Sequence, residues 1–383
     1  FFSHPHPPTP DPLWSRGLGD VYKRQKILFE THHLYYLPNF IPIIEDLRSR
    51  DGYDIYVSIP QYMQERERKL CYDACFSMEI QVINADLEAT RIEEINSANF
   101  DVIVVGNVGQ LRKIVSDSTI AVMVYHGIGL KQSYYNDIDQ RIDIRAVESE
   151  ARYNKLKDQG HQNLALIGYT KLDPFFSYND QEKNNTKEKL GINNEQPILL
   201  YAPTFYPTSF DKLATEFEFL STEFNVIIKL HNFSWFQSRY TYQSMLAKEI
   251  ASQSENVYLL NKSVYNIIPY YMISDVLISD ISSTIFEFLP LDRPIIQAEC
   301  LSLRMRHRIF KRRFLKKLDI PRMQALDFVY KVENPSELFR SVSFACDYPE
   351  EMSGLRLEAH DYFLYKRDGN ASVRLINEIE KRF

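Results

Sequence analysis

The sequence is short of cysteine. Its 383 residues hold four, Cys71, Cys75, Cys300 and Cys346, and none forms a C-x-x-C pair. That spacing excludes a zinc ribbon and a thioredoxin-type site, and leaves reduced thiols of a cytosolic chain as the expectation. Long apolar runs are also missing. None approaches 18 residues, so no segment reads as bilayer-spanning, and any membrane association is peripheral. Positive charge is in deficit: a formal net charge of −6 at pH 7 argues against nucleic acid as a partner. No internal repeat is visible, and no low-complexity tract beyond the N-terminus.

What is present is globular. Hydrophobic residues make up 44% and charged residues 25%, over a length that suits two domains. Residues 1–25 stand apart. Pro5, Pro7, Pro8, Pro10 and Pro12 block helix and ladder alike, no apolar signal region follows, and "LGDVYKRQ" resembles a translated cloning scar. This segment is expected to be a non-native or disordered leader.

From residue 26 onward, short β-branched runs alternate with helical patterns. "KILFE" (26–30), "YDIYVSIP" (53–60), "DVIVVGN" (101–107) and "TIAVMVYHG" (119–127) read as strands. "YYLPNFIPIIEDLRSR" carries a helical pattern interrupted by Pro38 and Pro42, and "KLCYDACFSMEI" suits a helix followed by a short strand. The polar stretch from Asp173 to Gln196 marks a junction. Beyond it "PILLYAP" (197–203), "NVIIKLH" (225–231), "NVYLL" (256–260), "DVLISD" (275–280) and "PIIQ" (294–297) form a second set. The expected fold is α/β, with two Rossmann-like parallel-sheet domains facing across a cleft. The expected divisions are 26–180, 190–358 and a closing helix, 359–383, returning to the first domain. Val373, Leu375, Ile376 and Ile379 are placed on that helix's buried side.

Ligands of such sheets sit at the carboxyl ends of strands. Those ends carry a distinctive set of residues. His126-Gly127 follows "VMVY", and an imidazole there could take a proton from an attacking hydroxyl. Lys229 and His231 close "VIIKLH" and suit a phosphate. Thr204 follows "LLYAP". Asp280 ends "VLIS", and Ser282, Ser283 and Thr284 open the next helix, where hydroxyls and free N–H groups suit an anion. Glu287, one turn on, could bond a ribose hydroxyl. Each residue also has a plainer role: a turn histidine, a half-buried strand histidine, a turn cap, a capping box from Thr284 to Glu287. Two weaker patterns complete the set. Asp137-Ile138-Asp139 matches a metal-binding D-x-D, a pattern common by chance. "RMRHRIFKRRFLKKL" (303–317) concentrates basic residues, Arg308, Lys311, Arg312, Arg313 and Lys316 among them, and could meet anionic lipid or a polyanionic acceptor as well as solvent.

Taken in order, these stretches resemble the CDP-glycerol glycerophosphotransferase family, the teichoic-acid primases and polymerases. The family's His-Gly-Thr-Pro-Leu-Lys is matched by His126-Gly127-Ile128-Gly129-Leu130-Lys131. Its Gly-Tyr-Pro-x-x-Asp is matched by Gly168 to Asp173, and its Tyr-Ala-Pro-Thr by Tyr201 to Thr204. Lys229 to Asn232 stand for Arg-Pro-His-Pro, and Ser279 to Ser283 for Thr-Asp-Tyr-Ser-Ser. Asp368 to Arg374 match the closing Asp-Gly-x-Ala-Ser-x-Arg. The resemblance runs from about residue 100 onward, with Ile128, Gly129, Leu230 and Asn232 departing from it.

The resemblance implies a GT-B fold and transfer of a polyol phosphate, glycerol phosphate first, from a CDP-linked donor. The acceptor hydroxyl would be lipid-linked or on a polysaccharide, CMP would leave, and the product would be a teichoic-acid-like surface polymer. His126 would be the general base and His231 would stabilise the phosphoryl charge. Lys229, Ser282, Ser283 and Thr284 would hold the diphosphate, with Asp280 orienting their loop. Gly127, Lys131, Thr204 and Glu287 are further substrate-binding candidates. No cofactor and no metal is implied. The expected setting is cytoplasmic, at the inner face of a membrane. Two other readings stay open from the residues alone: a GT-B nucleotide-sugar glycosyltransferase or UDP-sugar epimerase, and a non-catalytic nucleotide- or polyanion-binding module.

Overall fold

A computed structural model describes residues 24–129, 139–309 and 323–383. Its first half builds a seven-stranded sheet in the order β3-β2-β1-β4-β5-β6-β7. The strands are β1 (Gln25–Glu30), β2 (Tyr53–Ser58), β3 (Gln81–Ile83), β4 (Val102–Val105), β5 (Ile120–Met123), β6 (Ile144–Val147) and β7 (Leu164–Leu166). The second half builds a six-stranded sheet, β10-β9-β8-β11-β12-β13. Its strands are β8 (Ile198–Tyr201), β9 (Asn225–Ile228), β10 (Val257–Leu259), β11 (Val276–Ser279), β12 (Ile295–Ala298) and β13 (Tyr330–Val332). Every pairing is parallel. Parallel strands need crossovers, and the crossover helices cover both faces of each sheet.

The period of two is visible in the packing. Ile27 and Phe29 join one core of the first sheet, while Leu28 joins the other, with Ile103 and Val105. In the second sheet Ile198 and Leu200 face one core, Leu199 and Tyr201 the other. Strands buried on both faces become continuous β-branched runs, which is why β4, "VIVV", is so plain in the sequence.

Differences from the expected pattern have local causes. The helix Leu37–Ser49 runs through both prolines. Pro38 lies in its first turn, where a missing N–H costs nothing, and burial of Phe40, Ile43, Ile44 and Leu47 carries it past Pro42. β1 takes in Gln25, whose N–H bonds the Gly52 carbonyl at 2.8 Å, so the fold begins inside the segment set aside as leader. The strand after the helix Glu65–Ser77 lies at Gln81–Ile83, later than "SMEI" suggests. β6, β7 and β13 were not expected. β6 hides behind Arg145, fully buried with its guanidinium on the Tyr125 hydroxyl, and the other two are three residues long.

Between β7 and β8 the polar stretch is ordered. A 3-10 turn, Thr170–Phe176, leads to the helix Asp180–Leu190, opened by an Asn179–Glu182 capping box. Only Thr186 of that helix is buried, which accounts for its polarity. The helix Ala371–Glu380 then returns to the first sheet, where Leu375, Ile376 and Ile379 enter the core beside Ile43 and Leu47. Its buried face is Ala371, Ser372, Leu375, Ile376 and Ile379; Val373 falls off it, because the 3.6-residue period carries position 373 round the side.

The two passages between domains are laced together. The Asp173 carboxylate accepts the Ala371 N–H at 3.0 Å and the Ser372 N–H at 2.7 Å. Arg374 pairs with Asp368 at 2.7 Å and donates to the Ile167 carbonyl at 2.6 Å. Gly168 has φ +98, and a Cβ there would stand 2.9 Å from the Tyr365 carbonyl. The motifs Gly168–Asp173 and Asp368–Arg374 therefore meet as a structural clasp.

Candidate active site in the interdomain cleft

The carboxyl ends of the two sheets face one open cleft of about 230 Å³. From the first domain come Tyr35 and His126, and from the passage between domains Lys171. The second domain contributes Thr204, Lys229, His231 and the run Ser282–Thr284, with Glu287 beneath. Residues some 150 positions apart in the chain thus converge on one space.

His126 lies just past β5. Its Nδ1 is 3.4 Å from the Gly106 carbonyl. A carbonyl only accepts, so this contact puts the proton on Nδ1 and makes Nε2 the basic nitrogen. The ring packs on Tyr36 at 4.3 Å and on Tyr35 at 5.6 Å. The following loop crosses to the second domain. Ile128 is buried in that domain's core, and Gly129, at φ +97, lies so close to Phe286 that a Cβ would come within 2.4 Å of its ring. Gly127 is buried with them. Ile128 and Gly129 therefore form a packed bridge that fixes His126 at the cleft.

His231 has the opposite polarity. Its Nδ1 accepts the Phe233 N–H at 3.1 Å, so Nε2 carries the proton and donates. Its ring packs on Phe205 at 4.8 Å, Phe233 at 5.0 Å and Tyr35 at 5.3 Å. Tyr35 thus stands between the two imidazoles. β9 ends at Ile228, so Lys229 and His231 sit beyond the strand, in the turn, rather than on one strand face. Lys229 donates to the Leu230 carbonyl at 3.1 Å, and burial, with the neighbouring Lys171 charge, pushes its ammonium down to about 8.

The Ser282–Thr284 run opens a helix of one turn only, Thr284–Glu287. So short a helix aligns few peptide dipoles, and the hydroxyls matter more there than a helix charge. The capping box does not form. Thr284 Oγ1 turns to Ser279 Oγ at 2.8 Å and to the Ala202 carbonyl at 3.3 Å instead. Glu287 Oε2 takes the Lys171 ammonium at 2.6 Å and the Tyr271 hydroxyl at 3.0 Å. Its other oxygen, Oε1, lies 3.4 Å from Ser283 Oγ. Ser282 Oγ accepts the Thr284 N–H at 3.4 Å.

Asp280 has no place at the cleft surface. It is completely buried, accepting the Thr204 N–H at 2.8 Å, the Ser209 N–H at 3.0 Å and the Ser209 hydroxyl at 3.2 Å. Burial pushes its carboxyl up to about 7. It ties the loop after β8 to the loop after β11, and so holds Thr204 and Ser282 on one wall.

Other expected residues lie elsewhere. Lys131, Asp137, Lys311, Arg312, Arg313 and Lys316 fall outside the described residues. Asp139 pairs with Arg112 at 2.8 Å and accepts the Arg141 N–H at 2.8 Å. Arg308, in the short helix Met305–Ile309, donates to the Leu303 carbonyl at 2.8 Å. Among the described residues no cluster of His, Cys, Asp and Glu could hold a metal, and no helix is long and apolar enough to cross a membrane. Sequence reasoning missed Tyr35, Lys171, Phe205 and Phe233 as cleft residues. Tyr35 follows β1, so the strand-end rule would have found it had it been applied to that strand.

Residues 147–381 match the model of the family described as CDP-Glycerol:Poly(glycerophosphate) glycerophosphotransferase. The chain belongs to this family. As a glycerophosphotransferase-family member it is 26% identical, over 208 residues, to the teichoic acid poly(glycerol phosphate) polymerase of Bacillus spizizenii, covering 47% of this chain and 51% of the polymerase. It is 28% identical over 163 residues to the teichoic acid glycerol-phosphate primase of Bacillus subtilis, covering 40% of this chain and 39% of the primase. The chain spans about half, or less, of the length of these curated relatives.

The fold of this family member is GT-B-like. It superposes on the wall teichoic acid polymerase TagF with a TM-score of 0.69 at 14% identity, over 94% of this chain and 89% of that one. It superposes on the UDP-GlcNAc 2-epimerase of Neisseria meningitidis with a TM-score of 0.58 at 14% identity, over 94% and 100%. At such identities the likeness speaks for the fold alone. The family match begins after His126, so that residue's role stands on its geometry and on the motif around it.

Proposed function

We propose that this protein moves glycerol phosphate from CDP-glycerol to a hydroxyl of a lipid-linked or polysaccharide acceptor, releasing CMP, in the synthesis of a teichoic-acid-like polymer. The acceptor oxygen attacks the β-phosphorus and gives its proton to His126 Nε2. The bond from that phosphorus to the bridging oxygen breaks, and CMP leaves with the oxygen. His231 Nε2–H donates to a phosphoryl oxygen as charge builds, and the Lys229 ammonium and the Ser282, Ser283 and Thr284 hydroxyls hold the diphosphate. Thr204 and Glu287 bound the nucleoside side, with Asp280 positioning the wall from behind.

The observation that carries this reading is the pair of imidazoles, one basic and one donating, on opposite sides of a cleft furnished with a buried cation and three hydroxyls. The test is CMP release from CDP-glycerol with a glycerol phosphate oligomer as acceptor, with CDP-ribitol and UDP-GlcNAc in parallel. Release of UDP from UDP-GlcNAc with no CMP from either CDP-linked donor, or no nucleotide release from any of the three, overturns it. The proposed setting, the inner face of a membrane, rests on the basic stretch 303–317 and is tested by flotation with anionic vesicles.

A further inference from the structure

A second cavity, of about 340 Å³, opens on the first-domain side and shares Tyr35 and His126 with the cleft. His32, His33, Tyr62, Asn107 and Gln110 line the rest. Its chemistry differs sharply from the donor wall. Among the described residues its lining holds no Lys, Arg, Asp or Glu; its polar groups are imidazoles, phenols and carboxamides. His32 is 1% exposed, and burial, with His126 nearby, pushes its imidazole down to about 3, so it is neutral. Its Nδ1 meets the Tyr62 hydroxyl at 2.9 Å, and its Nε2 has no hydrogen-bond partner. Gln110 Oε1 is buried and equally unpartnered. Asn107 donates to the Tyr36 hydroxyl at 3.1 Å.

The charges behind this lining do not favour an anion. His33 Nδ1 faces the Glu67 carboxylate at 3.2 Å, and Arg91 is committed to Glu30 at 2.9 Å and to Glu88. A phosphate here would lose its hydration and meet no Lys or Arg among the described lining residues. A neutral polyol or sugar would instead find donors and acceptors for its hydroxyls, and aromatic faces for its C–H groups. Buried polar atoms without partners are the signature of a site that discriminates by hydrogen bonding.

We propose that this cavity seats the end of the acceptor, and that it takes an uncharged, hydroxyl-bearing unit, leaving the acceptor's own phosphates outside. The inference rests on the transferase reading above and adds the chemistry of its second substrate. One hydroxyl of the seated unit points at His126, and the donor approaches from the other side of Tyr35.

The test is steady-state CMP release with CDP-glycerol saturating and a glycerol-ended glycerol phosphate oligomer varied. Tyr62→Phe and Gln110→Ala are each expected to raise the acceptor KM about tenfold, the loss of one hydrogen bond, and to leave the CDP-glycerol KM within about twofold. Tyr62 is half exposed, so its variant is expected to fold. The same oligomer ended by a phosphate monoester is expected to compete poorly. Free glycerol and an alkyl glycoside, used as competitors, distinguish a polyol end from a sugar end. An unchanged acceptor KM in both variants, an equal rise in donor KM, strong competition by the phosphate-ended oligomer, or competition by neither small probe overturns the assignment. If the unaltered protein releases no CMP at all, the transferase reading itself has failed, a distinct result from any of these.

Discussion

His126 and His231 occupy equivalent places, each just beyond a parallel strand, each packed on Tyr35, yet they are held in opposite tautomers. On the first side a carbonyl accepts from Nδ1 and makes Nε2 basic; on the second an N–H donates to Nδ1 and makes Nε2 a donor. The walls around them differ in the same sense. Lys171, Lys229 and three hydroxyls stand with His231, while imidazoles, phenols and carboxamides stand with His126. Backbone partners that cost the chain one hydrogen bond each are enough to give one residue type two ring polarities. The contrast also explains why neither histidine can be interpreted from its own sequence position: the partner deciding its role is 20 residues away in one case and 2 in the other.

That contrast can be broken hardest at the base. His126→Ala is expected to lower kcat by about 10²–10⁴ while CDP-glycerol affinity, measured by calorimetry, stays close to that of the unaltered protein. Next comes the buried support of the other wall. Asp280→Ala strands the Thr204 and Ser209 donors and is expected to cost about 3 kcal/mol, read from the denaturant midpoint, with Asp280→Asn costing less because one acceptor oxygen remains. Gly129→Ala must relieve both a left-handed backbone and the Phe286 ring. It is expected to cost about 2 kcal/mol and to lower kcat by moving His126, with little effect on donor binding.

The smallest effect sharpens the charge difference between the walls. Burial and the Lys171 charge push Lys229 down to about 8, and in the proposed diphosphate site only its protonated form would attract the donor. CDP-glycerol affinity is therefore expected to be flat below pH 8 and to weaken toward tenfold per unit above it. Lys229→Arg, which keeps its charge, should flatten that decline. A wild-type affinity that is constant from pH 7 to 10 would remove Lys229 from the diphosphate site.

Much of this architecture was legible because parallel sheets write themselves plainly. Strands such as β4, β8 and β9 are buried on both faces and run as unbroken apolar text, and the rule that ligands gather at their carboxyl ends then pointed to His126, Lys229, His231 and Ser282. β6 was hidden because its core position 145 is an arginine, satisfied by a partner that no periodicity reveals. Glu287 misled for a related reason. Its spacing from Thr284 fits a capping box, but Lys171, 116 residues earlier, competes for the carboxylate and wins. The His32–Tyr62 cavity left no mark at all, since two polar side chains 30 residues apart form no motif.

The clasp between Asp173 and the start of the last helix has a mechanical consequence. Two covalent strands of the chain pass between the halves at this one place, knotted to each other by a carboxylate and two amides. A swing about that fastening, like a book about its spine, would leave it intact, and would have to carry along or release the Ile128–Gly129 contact with the second core. A contact made by the spine itself, Lys171 with Glu287, would ride through such a swing, whereas one made across the open pages, His33 against Phe233 at 5.2 Å, would part and let the substrates in.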